Sequence, residues 1–143
     1  MKGVEIKELK IHSDGRGYLF EGLRKDDKIF SGSFGQTLIS VVNPGVIKGW
    51  HRHEKQTDYT LCAKGNIVYG VSDGKNTETY VIGEKHNVMI KVSPGIWHGY
   101  MAIGKEALIV HVMDTIFDPK DTERKDPMFF GDVWSEKAKE LDK

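Results

Sequence analysis

Three histidines and one aspartate in the middle of the chain have the types and spacing of a proton-transfer or metal-binding site. His51 and His53 are separated by a single residue, Asp58 follows after four more, and His98 comes directly after Ser93-Pro94-Gly95-Ile96-Trp97. Side chains alternate along an extended strand, so Ile47, His51 and His53 are expected on one face and Lys48, Trp50 and Arg52 on the other. Two imidazoles about 7 Å apart on one face can grip a metal ion, or one can act as a base beside a binder. With Asp58 and His98 the set becomes His51, His53, Asp58 and His98, which suits iron, manganese, nickel or zinc. His111 shares a strand face with Ile109 and Met113 and is expected to point inward. It reads either as a further imidazole of the site or as a core histidine hydrogen-bonded to backbone.

These residues need a rigid frame, and the sequence supplies short β-branched or aromatic runs separated by turn residues. The expected strands are Gly35–Val42, Val46–His53, Asp58–Ala63, Asn66–Ser72, Glu78–Ile82, Val88–Val92, Tyr100–Ile103 and Ala107–Asp114. Between them lie Asn43-Pro44-Gly45, Lys64-Gly65, Asp73-Gly74-Lys75-Asn76 and Pro94-Gly95, each with the chemistry of a turn. Val4 to Phe20 adds one or two strands around Ser13-Asp14-Gly15. Val133–Leu141 is the only helical candidate. Strands at this spacing predict an all-β domain, a closed barrel or jelly roll, which leaves few free sheet edges.

At 143 residues the chain is expected to form a single domain over residues 1–143. Its 21 basic and 21 acidic residues balance, so no overall field favours nucleic acid or an anionic membrane. No apolar run approaches the roughly 20 residues that span a bilayer, and the opening residues lack the pattern of a signal peptide. A cytoplasmic protein is the expectation. Cys62, the one cysteine, lies in the apolar-rich run Tyr59–Ala63 and reads as a buried, inert thiol.

Gly45, His51-x-His53, Asp58 and Gly65 resemble the first cupin motif, with aspartate where that family usually has glutamate. Ser93-Pro94-Gly95-Ile96-Trp97-His98 resembles the second, with Ser93 in place of its first proline. The resemblance implies the cupin fold, a double-stranded β-helix or jelly-roll barrel. A narrower resemblance rests on Asp14-Gly-Arg16-Gly17-Tyr-Leu-Phe-Glu21, Phe34-x-Gln36-x-x-x-Ser40, Gly45-Val-Ile-Lys48-Gly49-Trp-His51, Pro94-Gly95-x-x-His98-Gly99-Tyr100 and Phe117-Asp118-Pro119. These segments are similar to the dTDP-4-dehydrorhamnose 3,5-epimerase family, which removes a proton beside the keto group of a nucleotide-linked 4-keto sugar and needs no metal.

That resemblance implies that His51 is the general base and that Lys48 stands where the family has a phosphate-contacting arginine. It implies that Arg16, Glu21 and Gln36 help hold the nucleotide sugar, with Arg16 and Glu21 reaching the neighbouring subunit of a homodimer, and that His98 is a second pocket histidine. His53 and Asp58 would then lie around the keto group. Three positions depart from the pattern. Asp58 falls where the family has a lysine that assists at the enolate, His111 falls where it has a tyrosine acid, and an aspartate that orients the base has no clear counterpart. Three functions follow: a cofactor-free nucleotide-sugar epimerase or ketoisomerase using His51 and His111, an enzyme with a divalent transition metal on His51, His53, Asp58 and His98, and a non-catalytic sugar-binding cupin.

Overall fold

The runs between Gly35 and Asp114 form strands in the computed structural model, which describes residues 1–142. In chain order the elements are β1 (Val4–Glu8), β2 (His12–Asp14), β3 (Gly17–Leu19), β4 (Gln36–Val42), β5 (Ile47–Arg52), β6 (Asp58–Lys64) and β7 (Asn66–Ser72). They continue with β8 (Thr77–Gly83), β9 (Val88–Val92), β10 (Trp97–Ala102), β11 (Ala107–Met113), β12 (Glu123–Arg124) and the helix α1 (Val133–Ala138). Seven of the eight strands expected in this region end within one residue of the prediction. The eighth, β10, begins at Trp97 rather than Tyr100, so His98 is held by a ladder and not by a turn. The helix is shorter than Val133–Leu141, because a 3-10 turn takes over at Lys139–Asp142.

One five-stranded sheet has the order β1-β9-β6-β11-β4 and a second has β12-β5-β10-β7-β8, while β2 and β3 form a separate hairpin. All pairings are antiparallel, and the two sheets build the all-β jelly-roll barrel of a cupin. Its interior is polar at one end and apolar at the other because of strand register. On β6 the inward residues run Asp58, Thr60, Cys62, and on antiparallel β11 they run Met113, His111, Ile109, so that His111 lies opposite Thr60 and Ile109 opposite Cys62. The apolar end, with Ile67, Ile90, Ile109 and Val42, is closed and packed. The polar end is open.

The outer faces of both sheets are also covered. Trp50, Val68, Trp97, Met101 and Trp134 form one cluster under α1, and the Pro127 carbonyl accepts from both Trp50 Nε1 at 3.0 Å and Trp134 Nε1 at 2.8 Å. Trp50 thus packs in the core and makes no stacking platform. Opposite, Tyr59, Leu61 and Met89 are covered by Phe20, Leu23, Ile29 and Phe30 from the segment after β3. Covering both faces explains why β6 and β7 are buried along most of their length. The lone thiol, Cys62, is buried, and burial pushes its pKa up to about 11.

Candidate active site

A bulge in β5 decides which side chains enter the barrel. His98 pairs with His51, but the next residue, Gly99, pairs with Gly49, so Trp50 is an extra residue on the β5 side. A bulge of this kind breaks the alternation of faces. Lys48 therefore lines the cavity together with His51 and His53, while Ile47 packs with Trp50 in the tryptophan cluster. The simple alternation, which placed Ile47 with the histidines and Lys48 opposite them, is corrected here. Gly49 and Gly99 permit the close approach at this point: a Cβ added to Gly99 would lie 2.8 Å from both the Gly49 Cα and the Lys48 carbonyl oxygen.

The open end of the barrel is a cavity of about 410 Å³. Four strands bring together the residues singled out by their spacing: β5 carries Lys48 and His51 and leads into His53, β6 starts at Asp58, β10 carries His98, and β11 carries His111. Asp58 is the hub. Its Oδ2 lies 3.0 Å from His98 Nε2 and 3.5 Å from His53 Nε2, and its Oδ1 accepts from the Gln56 amide at 2.7 Å.

The protons in this cluster can be placed from the acceptors around it. His98 Nδ1 faces the Ile96 carbonyl at 3.1 Å and His53 Nδ1 faces the Asp121 carbonyl at 3.0 Å. A carbonyl only accepts, so both Nδ1 atoms carry hydrogen and both Nε2 atoms point at Asp58. His53 Nε2 also lies 3.4 Å from the Gln56 amide nitrogen, which can only donate, so this imidazole is neutral. The short His98–Asp58 contact needs a hydrogen between two atoms that would otherwise both be acceptors. With Asp58 ionised, that proton makes His98 an imidazolium. Burial raises the Asp58 pKa, but hydrogen bonds and charge from His98, the Gln56 amide and His53 outweigh it, and the net direction is down. The His53 pKa is lowered, chiefly by burial.

His51 stands apart from the cluster, with its ring 6.4 Å from that of His98. Its Nε2 lies 3.0 Å from Arg124 Nη1. Burial first, then the positive charges of His98 and Arg124, push its pKa down to about 4, so it is neutral at pH 7. His111 is also neutral, lowered to about 4 by burial. Its partners are side-chain hydroxyls and not backbone: Nδ1 meets Thr60 Oγ1 at 3.1 Å, and Nε2 meets Ser40 Oγ and Tyr100 Oη, both at 3.3 Å. Burial raises the Tyr100 pKa, so the phenol keeps its proton, and the residue lines the cavity.

The remaining expected residues divide. Gln36 braces the mouth, its Oε1 accepting from the Phe117 N–H at 2.7 Å. Arg16 is exposed on the β2–β3 hairpin and paired with Asp14, and Glu21 is paired with Arg24; neither lines the cavity of its own chain. Of the four proposed metal ligands, His53, Asp58 and His98 have donor atoms within 4.8 Å of one another, and His51 does not belong to that group. His51 Nε2 is instead in contact with Arg124 Nη1.

Sequence reasoning missed the contribution of the segment after β11. Asp121 accepts backbone N–H groups of Glu54, Lys55 and Gln56 through its carboxylate, and its carbonyl fixes His53. An aspartate from the C-terminal part of the chain thus orients a histidine of the pair, but it is His53 and not His51. Arg124 enters on β12, a two-residue strand directly opposite His51. Nothing in Asp121-Thr-Glu-Arg124 has the spacing of a motif or the length of a strand, so no local signal pointed there.

Comparison with known proteins places this geometry. The family model described as FdtA: WxcM-like, C-terminal, matches residues 2–133. The chain belongs to this family. Among its relatives, this FdtA-family chain is 33% identical over 131 residues to the "Probable low-salt glycan biosynthesis epimerase Agl13" of Haloferax volcanii, covering 85% of this chain and 84% of that protein. It is 32% identical over 131 residues to the spore coat polysaccharide biosynthesis protein SpsL of Bacillus subtilis, covering 86% of each. The crystal structure of a dTDP sugar isomerase from Desulfovibrio desulfuricans superimposes with a TM-score of 0.82 at 25% identity, covering 87% of this chain and 85% of that one.

Proposed function

We propose that this chain, a sugar epimerase or isomerase of carbohydrate biosynthesis, acts on a nucleotide-linked 4-keto sugar, with His51 taking the proton from the carbon beside the keto group. The observation that carries the reading is the arrangement of proton donors and acceptors around one cavity. His51 is a neutral imidazole at one wall, while the Tyr100 hydroxyl beside His111 and Ser40, and the His98 cation whose N–H groups go to Asp58 and the Ile96 carbonyl, line the same space. A proton α to a ketone is weakly acidic, and its removal needs a base on one side and a donor for the developing enolate oxygen on the other. In the lysine's place Asp58 reverses the charge, and the imidazolium it holds on His98 restores a cation. His111 acts on Tyr100, which is the group that would return the proton.

The substrate is held at its anionic end by Lys48, with Gln36 and His53 shaping the mouth. Arg16 and Glu21 have no role in their own cavity, which supports a homodimer in which they serve the partner's. A cytoplasmic location is part of this proposal; among the described residues no helix is long and apolar enough to cross a membrane. The test is solvent deuterium incorporation into dTDP-4-keto-6-deoxyglucose. The wild type should label the carbon beside the keto group and His51→Asn should not; undiminished labelling by that variant refutes the base.

One observation favours a second reading. His53, Asp58 and His98 fit a divalent transition ion as two imidazoles and a carboxylate, and each imidazole has its other nitrogen fixed by a carbonyl, the usual support of a metal-binding histidine. Such an ion would supply Lewis-acid stabilisation of an enolate oxygen, the same task as the positive charge on His98. Elemental analysis of the purified protein decides it: about one ion per chain, lost in His53→Ala, puts the metal in place of the proton.

A further inference from the structure

Arg124 has an unusual partner for a guanidinium. It sits directly across the β12–β5 ladder from His51, so both side chains project on the same face of the sheet, and its Nη1 lies 3.0 Å from His51 Nε2. Arginine is always charged and only donates, so Nε2 is the acceptor and the ring hydrogen is on Nδ1. The lone pair that a base must use is therefore occupied by Arg124. Among the described residues no carboxylate pairs with Arg124, although it is exposed and long enough to find one, and the Lys48 ammonium, which also lines the cavity, has none either. The only acid in that lining, Asp58, is taken up by His98, Gln56 and His53.

We propose that Arg124 is a substrate-displaced cap on His51: it covers Nε2 in the empty site and turns onto the phosphate groups of the substrate when the cavity fills, uncovering the base. The inference rests on His51 being the base and adds how its use is confined to anionic substrates. A phosphate offers a guanidinium two charge-assisted acceptors, where a neutral imidazole offers one uncharged acceptor, so the exchange of partners is downhill. Arg124 sits on a two-residue edge strand and its side chain can swing without disturbing the barrel. A sugar without phosphate would leave the cap in place. Selection for the anionic substrate would then act on the chemical step as well as on binding.

The test uses the whole chain labelled with ¹⁵N in histidine, with dTDP and inorganic pyrophosphate as probes, and needs no turnover. In the wild type the His51 Nε2 signal should start at the position of a hydrogen-bonded acceptor and move to that of a free one as either probe saturates. In Arg124→Ala the signal should start at the free position and stay there, and dTDP should bind at least about tenfold more weakly. Arg124→Lys should restore part of the binding but not the starting position. A wild-type signal that does not move under saturating dTDP overturns the cap, as does failure of both probes to bind or unchanged dTDP affinity in Arg124→Ala. If instead His51→Asn keeps its deuterium exchange while the signal moves as described, the base assignment fails and the cap stands as a contact only.

Discussion

Replacing Asp58 by asparagine and by alanine should separate its charge from its place in the hydrogen-bond network. Asp58 is 5% exposed, and its oxygens serve Gln56 at 2.7 Å, His98 at 3.0 Å and His53 at 3.5 Å. Alanine leaves the His98 Nε2–H without its acceptor and the Gln56 amide with only the longer contact to His53 Nε2 at 3.4 Å. Removing one member of a buried charged pair costs about 3–5 kcal/mol, and a wall that borders an open cavity belongs at the lower end, about 3 kcal/mol. For a chain of this size that is a fall in Tm of about 10 °C. Asparagine is different. Its carbonyl can accept from Gln56 and its amide can donate to His98 Nε2 once His98 loses a proton, so the loss at pH 7 should stay within about 1 kcal/mol. Urea unfolding at pH 7 measures both. Because the folded state lowers the Asp58 pKa, its stabilisation is present above the ordinary aspartate range and is lost as pH falls through it; the gap between wild type and Asp58→Ala should narrow in acid. In deuterium exchange the asparagine variant should be slower by about a hundredfold, the usual cost of losing one group that stabilises a developing oxyanion, since His98 is then neutral. Equal destabilisation by asparagine and alanine at pH 7 would refute the proton placement in this cluster.

Gly99→Ala should cost about 2 kcal/mol, since the new Cβ meets backbone that cannot give way, and should also depress kcat by prising His98 from His51; Gly70→Ala, whose Cβ meets Trp50 and Trp134 at 2.8 and 3.0 Å on the far side of the sheet, should destabilise comparably in the same urea assay with a smaller effect on kcat. The folded state lowers His111 from 6.5 to about 4, so it contributes stability that is present above pH 6.5 and is lost as pH falls toward 4, up to roughly 3 kcal/mol. His111→Gln should flatten that part of the pH–stability curve, and a curve unchanged in shape would remove His111 as its source. Trp134→Ala should cost about 3–5 kcal/mol by emptying the cluster beneath α1, read as a fall in urea midpoint at constant slope.

Much of this protein was determined by local sequence. β-branched runs between glycine and proline turns set the strands from Gln36 to Met113 almost to the residue, because pleating and turn geometry depend on neighbours a few positions away. The period of two also placed His111 inward with Ile109 and Met113, and the cupin-like spacing brought His53, Asp58 and His98 into one cluster. Lys48 shows where such reasoning stops. Its face depends on an extra residue in β5 opposite β10, and a bulge is a property of two strands that are far apart in the chain. The tertiary structure alone decided the partners of the histidines. Asp121 reaches His53, Arg124 reaches His51, and Thr60, Ser40 and Tyr100 reach His111 because sheet order and register bring them together across long sequence separations. No composition or spacing in the short segment from Asp121 to Arg124 encodes that meeting. Which imidazole nitrogens face donors, and which face acceptors, followed only from those contacts.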